Sequence, residues 1–120
     1  MTTDSTIRYE LLTSAGLRTV AGEHVVIPND VGATFGIHAE RYLADGHPEK
    51  WAVTHLASGM QAGTGASRTA AVTNATTNVE RNRRRLRTML DEATVARSDL
   101  QFATYQLERN RLAIIGEARS

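Results

Sequence analysis

The second half of this chain of 120 residues carries an apolar residue at every seventh position. Between residues 66 and 115 there is neither glycine nor proline, so no residue in this stretch is a strong helix breaker. The repeating positions are Val72, Val79, Leu86, Ala93, Leu100, Leu107 and Ile114, and three residues after them come Ala75, Asn82, Met89, Ala96, Ala103 and Asn110. A repeat of 3.5 residues per turn is typical of helices that supercoil around a partner helix, so the pattern predicts a coiled coil.

The length of this predicted helix limits how the chain can fold. One continuous helix over this stretch would span roughly 75 Å, whereas a compact domain of this size is only about 35 Å across. The helix therefore either folds back as a hairpin or projects and pairs with another chain. A hairpin would break at the capping box of residues 98–101, or at a second helix start at residues 77–80. No glycine ends a helix before either point, so an unbroken helix is the favoured prediction.

The heptad seam is the predicted surface for self-association. Small residues at its second position would let two helices approach closely, and Asn82 and Asn110 would fix their register. The predicted oligomer interface consists of Val79, Leu86, Met89, Ala93, Ala96, Leu100, Ala103, Leu107 and Ile114. A second apolar face on the opposite side consists of Val95, Phe102, Tyr105 and Leu112. It would pack either on the chain's own sheet or on a different protein, and the orientation of the paired helices stays open.

The first half of the chain predicts a small antiparallel sheet. Its β-favouring stretches, several with alternating apolar and polar residues, are separated by turns rich in glycine, proline, asparagine and aspartate. The predicted strands cover residues 7–12, 17–27, 34–42 and 50–56, with a fifth short strand near residues 60–62. Such a meander usually buries one face and needs a helix or a partner to cover it.

Charge is distributed unevenly along the chain. There are 14 basic and 13 acidic side chains, and every basic residue except Lys50 is arginine. The composition, rich in arginine, alanine and glycine, is typical of a GC-rich genome. The densest basic run consists of Arg81, Arg83, Arg84, Arg85 and Arg87. A basic helix of this kind can contact phosphates, although a pI near 8.3 and an aromatic content of 5% are low for a nucleic-acid-binding domain.

No motif in the sequence predicts an active site. The chain has no cysteine, which excludes zinc–thiolate sites and a cysteine nucleophile. The glycine-rich stretch of residues 59–65 lacks the lysine of a phosphate-binding loop, so we expect a turn that leads into a helix capped by Ser67 or Thr69. His38 and His55 could lie on neighbouring strands, but no spacing matches a known metal-ligand pattern. We therefore predict a protein that is not an enzyme and that has no metal site and no cofactor.

One segment resembles a known class of domain. Residues 50–59, followed by a short strand and an alanine-rich helix, resemble the three-stranded sheet and helix of integrase-type arm-binding and AP2-like DNA-binding domains. The resemblance covers about a third of the chain and implies a sheet that reads the major groove, here with Lys50, Trp51, Thr54 and Arg41. The sheet half carries 4 basic and 7 acidic groups over residues 1–67, which departs from the basic character of those domains. We do not extend the resemblance to family membership.

The sequence as a whole predicts an α+β fold. Residues 1–65 would form a small antiparallel β-meander of four to five short strands, residues 66–116 a long heptad helix or helical hairpin with coiled-coil association, and residues 117–120 a tail. With no apolar run of membrane length and no signal peptide, we expect a cytoplasmic protein without membrane contact. The predicted function is a non-enzymatic interaction or structural accessory protein of a phage or mobile element that self-associates as a homo-oligomer. The alternative is a dimeric nucleic-acid-binding regulator that uses residues 81–87.

Overall fold

The computed structural model describes residues 6–101, which form one antiparallel sheet followed by two helices. The strands are β1 (Thr6–Thr13), β2 (Gly16–Val25), β3 (Phe35–Ala39), β4 (Trp51–His55) and β5 (Gln61–Gly65), and they lie in the sheet in chain order. Helix α1 is Arg68–Arg81, and helix α2 runs from residue 86 to residue 101, where the described part of the chain ends. The predicted α+β class and the five-stranded meander are confirmed.

The helical half is not one continuous helix. Residues 82–85 form turns between α1 and α2. There the amides of Arg83 and Arg85 donate to carbonyls three residues earlier, at 3.2 Å and 2.9 Å. The predicted unbroken heptad helix is therefore wrong. The break predicted at residues 98–101 is also wrong, because these residues are helical.

Two properties of the sequence weaken the helix at this point. Asn82 ends α1, and its side-chain amide donates to the carbonyl oxygen of Asn78 at 2.8 Å, a local bond that competes with regular helix geometry. In an unbroken helix the arginines at positions 81 and 85, and at 83 and 87, would be like-charged pairs four residues apart. Both effects favour a turn where the heptad pattern alone predicts a helix.

The dimensions of the sheet supply the stronger reason. The 14 residues of α1 extend roughly 21 Å, and α1 packs on β5, whose 5 residues extend only about 17 Å. A helix that continued in the same direction would extend beyond the sheet and could not bury its apolar side chains against it. The turn instead brings Leu86 and Leu90 back over the sheet, where both side chains are buried.

The main core lies between the sheet and the two helices. Its buried members are Ile27, Phe35, Ile37, Val53, Ala71, Ala75, Val79, Leu86 and Leu90. Helix α1 lies close to β5 because that strand contributes glycine at the contact. A Cβ atom on Gly63 would lie 2.6 Å from the amide nitrogen of Ala75, so no other residue fits there without moving the helix.

Strand β5 is an edge strand whose carbonyls are partly covered by α1. The side-chain amides of Asn74 and Asn78 donate to the carbonyl oxygens of Thr64 and Ala62, at 2.7 Å and 2.9 Å. An edge strand with free backbone groups is a template for aggregation. These two bonds therefore hold α1 on the sheet and also occupy hydrogen-bonding groups at its edge.

The hairpin formed by β1 and β2 curls across the face of the sheet opposite the two helices, which is called the second face below. Strands β1 and β5 are at opposite edges, yet the amide of Leu12 in β1 donates to the carbonyl oxygen of Gly59, in the turn before β5, at 2.8 Å. The ring of Tyr9 lies against Gly36 of β3, where a Cβ atom would come within 2.8 Å of the ring. The second face is thus covered by the chain's own first strand.

Candidate functional site

A hydrogen-bonded network of polar side chains links β1, β2 and β3 on this second face. The hydroxyl of Tyr9 lies 3.2 Å from Nδ1 of His38, and Nε2 of His38 lies 2.9 Å from Oε1 of Glu40. The guanidinium of Arg18 donates to the same oxygen of Glu40. Since an ionised carboxylate only accepts hydrogen bonds, Nε2 of His38 donates to Glu40; in the tautomer with its one proton on Nε2, Nδ1 accepts from the hydroxyl of Tyr9.

In this network, burial and the neighbouring charges shift the pKa values of Glu40 and Tyr9. Partial burial alone would raise the pKa of Glu40, but the hydrogen bonds from His38 and Arg18 outweigh it, and the pKa of Glu40 lies below its ordinary value. Burial, and after it the negative charge of Glu40, raise the pKa of Tyr9 far above its ordinary value. Tyr9 therefore remains a hydroxyl donor and is not an activated nucleophile.

A groove of about 380 Å³ opens beside these side chains. Arg8, Arg18 and Arg41 contribute to its walls together with Tyr42, and the guanidinium carbon of Arg18 lies 5.7 Å from the centroid of the Tyr42 ring. Arg18 is paired with Glu40, whereas neither Arg8 nor Arg41 forms an ion pair with any residue in the described range 6–101. The groove is therefore a basic site of small-molecule size.

The two histidines considered from the sequence lie on opposite faces of the sheet. The β3–β4 register pairs His38 with Ala52 and His55 with Phe35, and the ring of His55 packs on Phe35 in the main core. Nδ1 of His55 lies 2.7 Å from Oγ of Ser58, which is fully buried and also accepts from the amide of Met60. Burial lowers the pKa of His55. Both side chains are buried, and the pair closes the β4–β5 turn.

Metal binding finds no support in the part of the chain that the structure describes. Within residues 6–101 no group of three or more histidine, aspartate or glutamate side chains is placed to hold a metal ion. His38 and Glu40 do meet, because two residues separated by one on a strand share a face. That spacing is the sequence signal that would have identified this pair.

The five arginines of the basic run lie at the junction of the helices. Arg81 is the last residue of α1, three of the others lie in the turn of residues 82–85, and Arg87 lies in the first turn of α2. All five are exposed. Within residues 6–101 one ion pair involves these arginines, and it joins Arg83 to Glu80 at 3.7 Å. The turn thus presents several guanidinium groups to solvent.

The predicted oligomer interface divides into three parts. Val79 and Leu86 are only 5% and 4% exposed, because they pack in the chain's own core. Met89, Ala93 and Leu100 are half-buried, while Ala96 is exposed. The remaining interface positions, Ala103, Leu107 and Ile114, lie outside the described residues.

Only one residue of the predicted second apolar face, Val95, lies among the residues that the structure describes. Val95 is 59% exposed, so at this point the face does not pack on the sheet. Phe102, Tyr105 and Leu112 lie outside the described residues. The sequence analysis missed Leu90, which is buried four residues after Leu86, because a spacing of four belongs to the 3.6-residue period of a helix on a sheet.

The resemblance to DNA-binding domains implies four side chains that contact DNA, and these do not form one exposed surface. Thr54 is fully buried, and Trp51 packs against the main core. Nζ of Lys50 donates to the carbonyl oxygen of Leu43 at 2.7 Å and lies 3.7 Å from Asp45. Arg41 is exposed but belongs to the basic groove.

Comparisons of this chain with protein-family models, with curated proteins and with solved structures find no match. Of the helices within residues 6–101, none is long and apolar enough to cross a bilayer.

Proposed function

We propose that this protein is a non-enzymatic interaction or structural module that self-associates through α2 and the heptad positions that follow it. The observation that carries the proposal is that the sheet covers only one side of α2. Leu86 and Leu90 are buried against the sheet, whereas the seam position Ala96 faces away from it and is exposed.

The occupant of this free side is a second copy of the same chain. The core uses only the first members of the heptad series, and the sequence keeps the register after residue 101 at Ala103, Leu107 and Ile114. A repeat that is identical in every copy suits a symmetric interface, in which the same patch meets itself. Alanine at positions 96 and 103 permits close approach of the two helices. The composition supports the part of the proposal that places this module in a GC-rich bacterium, as an accessory protein of a phage or mobile element.

The test is the mass of the full-length chain in solution, measured by sedimentation equilibrium over a range of concentrations. Ala96→Asp places a charge on an exposed seam position, and Leu100→Asp places one at the next. Ser98→Asp is the matched control, because Ser98 is exposed on the same helix but lies off the seam. We expect an oligomer for the wild type and for S98D, and a shift to monomer for A96D and L100D. A monomeric wild type, or an A96D variant with the mass of the wild type, contradicts self-association.

A second candidate function is nucleic-acid binding by a dimer through the basic turn. The observation that favours it is the exposure of all five arginines between residues 81 and 87, with Glu80 as their one ion-pair partner among the described residues. Arginine side chains in this state are free to contact backbone phosphates.

Titration of duplex DNA at several salt concentrations tests this second candidate. If all five arginines contact phosphates, the slope of log affinity against log salt is about −4.5. The double variant Arg84→Gln with Arg85→Gln should reduce the slope by about 2. Arg68→Gln, on the first turn of α1, is the control that should leave it unchanged. Absence of binding at low salt, or an equal loss in the control, overturns this candidate.

A further inference from the structure

The groove beside the Tyr9–His38 contact has the dimensions of a ligand site. Its volume of about 380 Å³ falls within the usual range of about 300–1,000 Å³ for small-molecule pockets. Three structural segments form it: β1 through Arg8, the middle of β2 from Arg18 to Ala21, and the end of β3 with the three residues that follow. The site therefore belongs to the sheet, away from the basic turn and from the free side of α2.

The charges around the groove do not balance. Three arginines and one carboxylate, that of Glu40, line the groove, and Oε1 of Glu40 already accepts hydrogen bonds from His38 and Arg18. Arg8 and Arg41 have no ion pair with any residue between 6 and 101. Two positive charges without an ion-pair partner among these residues thus line one small groove.

The guanidinium of Arg18 is held in place and is still incompletely satisfied. Its contact with Glu40 and its position over the Tyr42 ring fix its orientation. Its Nε is buried and has no hydrogen-bond acceptor among the described residues. A buried donor without an acceptor costs free energy, so the guanidinium that lines the groove is held in one orientation and is not fully satisfied by the chain's own acceptors.

We propose that this groove binds a small oxyanion, the carboxylate or phosphate group of a small molecule, between Arg8, Arg18 and Arg41. Arginine suits this role because its planar fork donates two parallel hydrogen bonds to a carboxylate or phosphate. Glu40 has a positioning role, because it orients Arg18 and, with His38, keeps the wall of the groove in one arrangement. The proposal is independent of self-association and of DNA binding, since it uses none of their residues.

The test is a titration of the isotope-labelled full-length protein, followed through its amide resonances. The probes are inorganic phosphate, phenyl phosphate and benzoate. We expect saturable shifts confined to amides that line the groove, such as those of Ala21, Ala39 and Arg41. A preference for phenyl phosphate identifies a phosphate site, and a preference for benzoate identifies a carboxylate site. Shifts that do not saturate with any probe, or that lie outside the groove, overturn the proposal.

Substitution of the two unpaired arginines provides the second arm of the test. Arg8→Gln and Arg41→Gln change exposed side chains, so both variants should keep the fold. Each should weaken binding of the preferred probe by about 5-fold or more, since each removes a charge-assisted hydrogen bond. Arg87→Gln removes an exposed arginine from the basic turn and should leave the affinity within about 2-fold of wild type. An equal loss in all three variants would show a general charge effect and would exclude a site in the groove.

Discussion

Arg97 of α2 and Glu10 of β1 are 87 residues apart in the chain, yet the guanidinium of Arg97 donates to Oε1 of Glu10 at 3.1 Å. The same guanidinium donates to the carbonyl oxygens of Leu56 and Ala57, at 3.2 Å and 2.8 Å. One side chain thus ties the second helix to the first strand and to the turn between β4 and β5. It fixes where α2 crosses the sheet, and therefore which side of α2 faces away from the sheet.

Replacing Arg97 by methionine should destabilise the fold, because methionine keeps much of the apolar stem but donates no hydrogen bonds. Loss of three hydrogen bonds from a partly exposed charged group should lower the free energy of unfolding by about 1–3 kcal/mol. Urea denaturation measures this change. Arg87→Met is the control, since Arg87 is exposed and should change the free energy by less than about 0.5 kcal/mol. Equal effects of the two substitutions would show that Arg97 does not anchor α2.

Of the two residues that the sequence suggested as the N-cap of α1, the structure places one at the cap. The side chain of Ser67 accepts from the amide of Ala70 at 3.1 Å, whereas Thr69 lies inside the first turn of the helix. Ser67→Ala should therefore lower the melting temperature through a loss of about 0.5–2 kcal/mol. Thr69→Ala should be neutral or slightly stabilising, because alanine is the better helix former. The reverse order of the two variants would contradict this assignment of the cap.

Contact between α1 and β5 depends on the absence of a side chain at Gly63. An added Cβ atom would lie 2.6 Å from the amide nitrogen and 2.8 Å from the Cα atom of Ala75, and both of these are backbone atoms. Gly63→Ala should therefore force α1 away from the sheet and cost about 1–3 kcal/mol. Gln61→Ala, at an exposed position of the same strand, is the control for changes in strand propensity. If chemical denaturation shows the same stability for both variants, the close approach is not required.

Glu40 should make stability depend on pH in the acid range. Its pKa is lower in the folded protein than its ordinary value of 4.5, so the unfolded chain binds more protons as the pH falls. The stabilisation is complete above about pH 4.5 and is lost as the pH falls through the lower, folded pKa. The difference in unfolding free energy between wild type and Glu40→Gln should therefore shrink below that pH.

Denaturation at a series of pH values between neutral and acid conditions measures this difference. Glu49→Gln is the matched control, because Glu49 is exposed and forms no ion pair with any residue in the range 6–101. A constant difference between wild type and E40Q across the series would mean that the charge of Glu40 does not stabilise the hairpin.

Local signals in the sequence were sufficient for the sheet. Alternation and turn residues placed all five strands, because in a short meander each strand pairs with its neighbour along the chain. The hydroxyl of Ser67 likewise marked the start of α1, since a cap acts within three residues of itself. The pairing of His38 with Glu40 is also local, as both lie on β3 or directly after it.

The heptad pattern predicted the wrong helix because periodicity does not state what the apolar face will meet. Val79 and Leu86 fit two arrangements equally well: a seam between two chains, and a contact with the chain's own sheet. The short length of β5 decided between them, because a helix longer than its strand has to turn to keep burying leucine. That constraint appears only when the helix and the sheet are placed together.

The sequence by itself thus determined the elements whose cause lies within a few residues: the strands, their turns and, to within two residues, the start of α1. Only the tertiary structure decided the break at residues 82–85, the anchoring of α2 by Arg97, and the meeting of Arg8, Arg18 and Arg41 around one groove. These contacts join residues far apart in the chain, so they depend on how the first hairpin curls and on where the helices cross. No pattern of local periodicity contains that geometry.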